Sequence, residues 1–99
     1  MTAKSVVILG AFCGSGYWTA GQRVDVSRLT EFVWKKKSVD SYQELPLDYT
    51  NWLSGEPNNH GGDANNVRES CVQVWPGRQY LWNDEACGTK ICYICEYDL

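Results

Sequence analysis

Three short stretches of the chain gather oxygen donors: Glu56-Pro57-Asn58, Glu69 two places before Cys71, and Asn83-Asp84 directly after Trp82. They offer three carboxylates and two side-chain amides. Such a set suits a hard cation. Ca2+ takes about six to eight oxygens at roughly 2.3–2.6 Å and tolerates the irregular geometry of loops, whereas Mg2+ demands a near-ideal octahedron. Pro57 stiffens the turn between Glu56 and Asn58, which helps ligands converge. Glu56 and Glu69 also have a reading as a glycosidase acid pair, but amides interleave with the acids, and this favours calcium ligation. His60, the one histidine, has no nucleophile at catalytic spacing and reads as a solvated loop residue. No enzymatic activity is expected.

These residues need strands to hold them. Helical periodicity is weak throughout, and no helix of three turns is expected. Period-2 alternation marks short strands. Phe32 and Trp34 share one face of a strand that ends in Lys35-Lys36-Lys37. Val72 and Val74 alternate with Cys71, Gln73 and Trp75, and Tyr80 and Trp82 alternate around Leu81. Pro76-Gly77-Arg78-Gln79 reads as the hairpin turn between them. Ile91, Tyr93, Cys95 and Tyr97 alternate with Cys92, Ile94 and Glu96. From 46 to 70 runs a segment without periodicity, holding Pro46, Gly55, Pro57, Asn58, Asn59, Gly61, Gly62, Asn65 and Asn66. So long a loop in so small a domain is characteristically functional or disordered.

With 99 residues the chain is one small domain, which leans on staples or ligands for stability. Its 43% hydrophobic and 13% aromatic content excludes disorder, collagen and low-complexity classes. The longest apolar run, Val6 to Leu9 extended by Ala11 and Phe12, falls far short of the roughly 20 residues of a membrane span. No membrane insertion is expected. A net charge of −3 does not point to nucleic acid. Residues 1–39 carry six basic and two acidic side chains, and residues 40–99 carry three basic and ten acidic ones. The acids therefore crowd the loop-rich half, which fits a hard cation as readily as solvation.

Five cysteines beside five Trp and six Tyr indicate a disulfide-stapled, secreted domain. Residues 1–16 read either as a leader, a short secretory signal cleaved before Tyr17, or as an edge strand over Ser5 to Phe12.

Across residues 17–99 the chain resembles the C-terminal portion of a C-type lectin domain. The pieces that carry the likeness are Tyr17-Trp18-Thr19-Ala20-Gly21, Phe32-Val33-Trp34, Asn51-Trp52, Gly55-Glu56-Pro57-Asn58-Asn59, Glu69-Ser70-Cys71-Val72, Trp82-Asn83-Asp84, Cys87 and Ile94-Cys95-Glu96. Each is weak alone; their order and spacing are specific. The resemblance implies an α+β fold, here mostly antiparallel β with a long calcium-binding loop region. It also implies that the family's N-terminal strand and two helices are missing, so that the domain reads as N-terminally truncated: a truncated product, a fragment, or a variant that rebuilds the missing edge with residues 1–16.

By the same resemblance, the family's principal sugar-binding calcium site maps onto Glu56, Asn58, Glu69, Asn83 and Asp84. The Glu-Pro-Asn order is similar to that of members selecting mannose, glucose, N-acetylglucosamine and fucose, unlike the Gln-Pro-Asp of galactose binders. The bond before the loop proline is typically cis in the family. An auxiliary calcium site is not supported, because Asn59 and Ser70 stand where acids are wanted, unless Asp25 or Glu31 substitutes. The segment Asn59 to Arg68 is longer than in compact mannose binders, and its His60, Asp63, Asn65 and Asn66 would form an extra contact lip.

The sugar chemistry follows from the donor set. Each of two vicinal hydroxyls gives a lone pair to the cation, donates its proton to a carboxylate and accepts one from an amide NH2. Glu56 with Asn58 serves one hydroxyl, and Glu69 with Asn83 the other. Mannose-type glycans are the expected partners, and several copies of the module would supply avidity. The alternative class is a lectin-like module making protein or mineral contacts without sugar.

The family pattern pairs Cys71 with Cys87, closing a loop of about 17 residues for roughly 3 kcal/mol. It leaves Cys13 as the candidate partner of Cys95, and Cys92 without an assigned one. A zinc reading of Cys87, Cys92 and Cys95 lacks a second CxxC or paired histidines. Lys35-Lys36-Lys37 reads as a polar strand end. Trp18, Trp34, Trp52 and Trp82 are expected in the core, which is where the family buries them, and Trp75 is the more exposed candidate for stacking on sugar.

Overall fold

A computed structural model of the chain describes residues 4–9, 16–62 and 67–98, and of residues 4–9 and 95–98 the backbone alone. Its strands, in chain order, are β1 Lys4–Leu9, β2 Tyr17–Arg23, β3 Phe32–Lys37, β4 Tyr42–Pro46, β5 Cys71–Trp75, β6 Leu81–Glu85 and β7 Cys92–Asp98, with one 3₁₀ turn at Pro76–Arg78. The alternating segments became β3, β5, β6 and β7. The described residues contain no α-helix.

One hydrogen-bonded path runs β1-β7-β2-β3-β4, and β5 pairs with both β2 and β6. The β2–β7 pairing is parallel; the others are antiparallel. β2 changes partners along its length, and its register against β5 shifts between Trp18 and Gln22. Gly21 sits in this irregularity because a Cβ there would lie 2.9 Å from Val72 Cγ2.

The core lies between β5, β6 and the aperiodic segment. Val72, Val74 and Trp82 are its buried centre, with Phe32, Trp34 and Trp52 packed around them. The rings of Trp34, Trp52 and Tyr49 meet Trp82 edge-on at 5.5, 5.6 and 6.0 Å between centroids. The four tryptophans expected in the core are thus buried or half-buried. Trp75 is half-buried as well, with its indole nitrogen enclosed.

Cys71 and Cys87 form the expected disulfide, joining the start of β5 to the chain just beyond β6. Cys92 is also disulfide-bonded and fully buried, which corrects the assignment that left it without a partner. With Cys87 and Cys92 both in disulfides, the zinc reading fails. The suggested Cys13–Cys95 pair and a signal cleavage before Tyr17 fall outside the described residues.

Candidate functional site

Trp82 anchors the loop that carries Glu56. Its N–H donates to Asn51 O at 2.7 Å, and its carbonyl accepts from Leu53 N at 2.8 Å. The chain then turns: Glu56 N donates to Leu53 O at 2.8 Å. Gly55 takes φ +89°, where a side chain would be strained. The Glu56–Pro57 peptide is cis. Asn58 is carried back onto Glu56, its N–H donating to Oε1 at 3.1 Å and its Nδ2 to Oε2 at 3.4 Å.

The loop next meets β6. Asp84 is fully buried. Its Oδ1 accepts from Asn58 N at 3.1 Å and its Oδ2 from Asn59 N at 2.6 Å. A third junction joins the loop to Glu69. The His60 N–H is shared between Glu69 Oε1 at 2.7 Å and Asn58 Oδ1 at 3.0 Å. Asn59 Oδ1 returns the link by accepting from Glu69 N at 3.0 Å and Arg68 N at 3.2 Å. Hydrogen bonds through residues 58–60 therefore connect Glu56, Asn58, Glu69 and Asp84.

Asn83 stands beside this network on β6. It is buried, and its Nδ2 donates to Gln73 Oε1, its ladder partner on β5, at 2.8 Å. Neighbouring strand residues face opposite ways, so Asn83 and Asp84 leave β6 on different sides.

The electrostatics are those of acids held close together. Burial pushes the Glu69 carboxyl up to about 7; the His60 N–H restrains it, and the charges of Asp84, Glu85 and Glu56 add to the rise. Glu56 is raised as well, by burial first and then by its hydrogen bond to Asp84 and that carboxylate's charge. Crowded carboxyls that resist ionisation invite a cation. The donor chemistry fits a hard divalent ion, being oxygen alone. In this arrangement, however, Glu69 and Asp84 spend oxygens on backbone N–H groups. Among the described residues, no group of three or more His, Cys, Asp or Glu side chains stands close enough to hold a metal ion.

The remaining expectations fall out unevenly. Asp25 does not serve the site: its Oδ1 accepts from the Ser27 N–H and hydroxyl. Ser70 turns away too, donating to Val26 O at 2.8 Å. His60 is exposed as expected, but its backbone N–H proves to be a junction of the network. Asp63, Asn65 and Asn66 of the suggested lip lie outside the described residues. Type and spacing did not reveal the backbone of Asn59 and His60, Gln73, or Arg23, whose guanidinium Nη2 approaches Asp84 Oδ2 at 3.9 Å. A basic residue closing an otherwise half-buried strand was the one available sign of the last.

Residues 12–97 match the family model described as Lectin C-type domain. Pulmonary surfactant-associated protein D of Sus scrofa is 48% identical over 52 residues, covering 52% of this chain and 13% of that protein. C-type lectin lectoxin-Enh4 of Pseudoferania polylepis is 35% identical over 89 residues, covering 89% of this chain and 48% of its own. A C-type lectin of Cerberus rynchops is 33% identical over the same length and shares. The chain thus spans about half, or far less, of the curated relatives it matches. No solved structure matches it significantly.

Proposed function

The chain belongs to the C-type lectin domain family, and on that premise we propose that it binds carbohydrate with the help of Ca2+, preferring mannose, N-acetylglucosamine and fucose over galactose. The observation that carries the reading is the hydrogen-bonded linkage of Glu56, Asn58, Glu69 and Asp84 through residues 58–60. Glu56, Asn58, Glu69, Asn83 and Asp84 are the residues proposed to hold the ion and the sugar.

A bound Ca2+ would supply Lewis acidity toward two vicinal hydroxyls. The protein supplies the rest. Glu56 and Glu69 accept the hydroxyl protons, and Asn58 and Asn83 each donate an amide N–H to a hydroxyl oxygen. The Asn58 Nδ2 bond to Glu56, at 3.4 Å, is long enough to yield to a hydroxyl. Asn83 commits one amide N–H to Gln73 and keeps the second for the sugar. A hydroxyl in the wrong place leaves such groups unpaired, and this is the basis of selection.

The Cys71–Cys87 disulfide supports an oxidising, extracellular setting. A single open site of this kind binds near the millimolar level, about −4 kcal/mol, so avidity would come from several copies. The use of Glu69 and Asp84 oxygens on backbone N–H groups favours the second reading, a lectin-like module that contacts protein or mineral without sugar.

Intrinsic Trp fluorescence separates the two, with Trp82 beside Asn83 as a reporter. Ca2+ should change the emission, and mannose should change it again only with calcium present, with galactose having less effect. Mannose binding that survives excess chelator would refute the calcium mechanism.

A further inference from the structure

We infer that Arg23 is the positioning residue of the candidate site, a fixed guanidinium that sets Glu69 and Asp84 in register with the 58–60 turn. Arg23 closes β2 and is 7% exposed. Its Nε donates to Glu69 O at 3.1 Å and its Nη1 to Thr30 O at 2.9 Å. Its Nη2 lies 3.9 Å from Asp84 Oδ2. Its own backbone N–H donates to Ser70 O at 2.9 Å, and its guanidinium carbon sits 4.4 Å from the centroid of the Phe32 ring.

These contacts close a ring. Arg23 reaches Glu69 through the Glu69 carbonyl. Glu69 N donates to Asn59 Oδ1. Asn59 N donates to Asp84 Oδ2, and Asp84 Oδ2 faces Arg23 again. Each member is held from two sides, and Arg23 supplies the charge. Asp84 is fully buried, and a buried carboxylate is costly unless compensated. A guanidinium does this while two nitrogens of its rigid fork hold two carbonyls, where lysine offers one freely rotating nitrogen.

The functional consequence rests on the calcium reading above. By Coulomb's law alone, a cation beside the site repels a second cation, and removing Arg23 would tighten calcium. Positioning predicts the opposite sign, because without Arg23 the carboxylates must be ordered at the expense of binding.

The test uses Arg23→Met, which keeps an apolar stem on Phe32, and Arg23→Lys, which keeps the charge without the fork. In calcium-free protein, amide hydrogen exchange at Asn58, Asn59 and His60 should quicken at least about tenfold in both, while Val74 and Trp82 stay protected. In the fluorescence titration, half-saturation by Ca2+ should rise at least about tenfold in both. Unchanged exchange at Asn59, or an Arg23→Met protein that binds Ca2+ as tightly as the parent, overturns the inference. Equal loss of protection at Val74 and Trp82 in both variants also overturns it, since that marks general packing. Should the parent fail to bind Ca2+, the functional reading falls, and the exchange measurement alone decides the role of Arg23.

Discussion

The backbone N–H of Asn59 donates to Asp84 Oδ2 at 2.6 Å across 25 positions of sequence. Asp84, a candidate ligand, is therefore also the clasp that fastens the ligand-bearing loop to β6. Both of its oxygens are used, since Oδ1 takes the Asn58 N–H. The site is partly assembled before any ion arrives, because the protein's own N–H groups hold one of the acids.

Asp84→Asn should then weaken the protein even in chelator. An amide nitrogen would face one of two N–H donors, and the unmet pair costs about 1–3 kcal/mol. Added Ca2+ should no longer raise the melting temperature, because the ion would lose its stabilising grip on the native state. Thermal melts in chelator and in Ca2+ check both. An Asp84→Asn protein as stable as the parent in chelator would show that the clasp carries no weight.

Calcium-free stability should fall as pH rises toward neutrality. The Glu69 carboxyl is raised from an ordinary 4.5 to about 7 in the folded protein. Between these values the folded state holds more protons than the unfolded one, so stability drops with increasing pH. Glu69→Gln should therefore melt above the parent in chelator at pH 7.5 and lose that advantage near pH 4.5. With Ca2+ present the order reverses at pH 7.5, since the ionised carboxylate is then in use. Calcium itself should be lost on acidification, with a midpoint that moves lower as Ca2+ is raised. A midpoint indifferent to calcium concentration contradicts the competition of proton and ion.

The strands of this fold were legible where bulky apolar side chains recur at every second position, even though both faces of β5 and β6 are buried. Val72 and Val74 face the core and announce β5, and Trp82 does so for β6. β4 was not legible, because all five of its residues are exposed and it lies at the end of the sheet path, where no alternation is required. The candidate ligands could be read because side-chain chemistry is written in residue type. The N–H groups of Asn59 and His60 could not, since nearly every residue has one and only the fold aims it. Arg23 escaped notice for a related reason: its partner Glu69 lies 46 positions away, a distance that pattern cannot bridge.

The Cys71–Cys87 bond should brace the site as well as the core. It closes a separation of 16 residues between the strand that follows Glu69 and the turn beyond Asp84. The chain-entropy argument assigns such a loop about 3 kcal/mol. The double Cys71→Ser, Cys87→Ser protein should lose most of that in a urea melt, and it should require more Ca2+ for half-saturation. A loss below about 0.5 kcal/mol would mean that the β5–β6 ladder holds these ends together unaided.

Specificity should favour mannose-type sugars over galactose, and the order of residues around Pro57 is the reason. Glu56 stands before the proline and Asn58 after it, so one hydroxyl meets an acceptor on one side and a donor on the other. Exchanging them through Glu56→Gln and Asn58→Asp reverses that polarity. The equatorial 3- and 4-hydroxyls of mannose would then face mismatched partners, and the 3- and axial 4-hydroxyls of galactose better ones. Each buried mismatch costs about 1–3 kcal/mol, against a binding free energy of about −4 kcal/mol for one millimolar site. A single mismatch is therefore large enough to read. On immobilised mannan, mannose, N-acetylglucosamine and fucose should compete well with the parent and galactose poorly, and the exchanged protein should lose mannan and gain galactose. If galactose is the best competitor of the parent, the Glu56-Pro57-Asn58 order does not set specificity here, and the segment from Asn59 to Arg68 is the first place to look for what does.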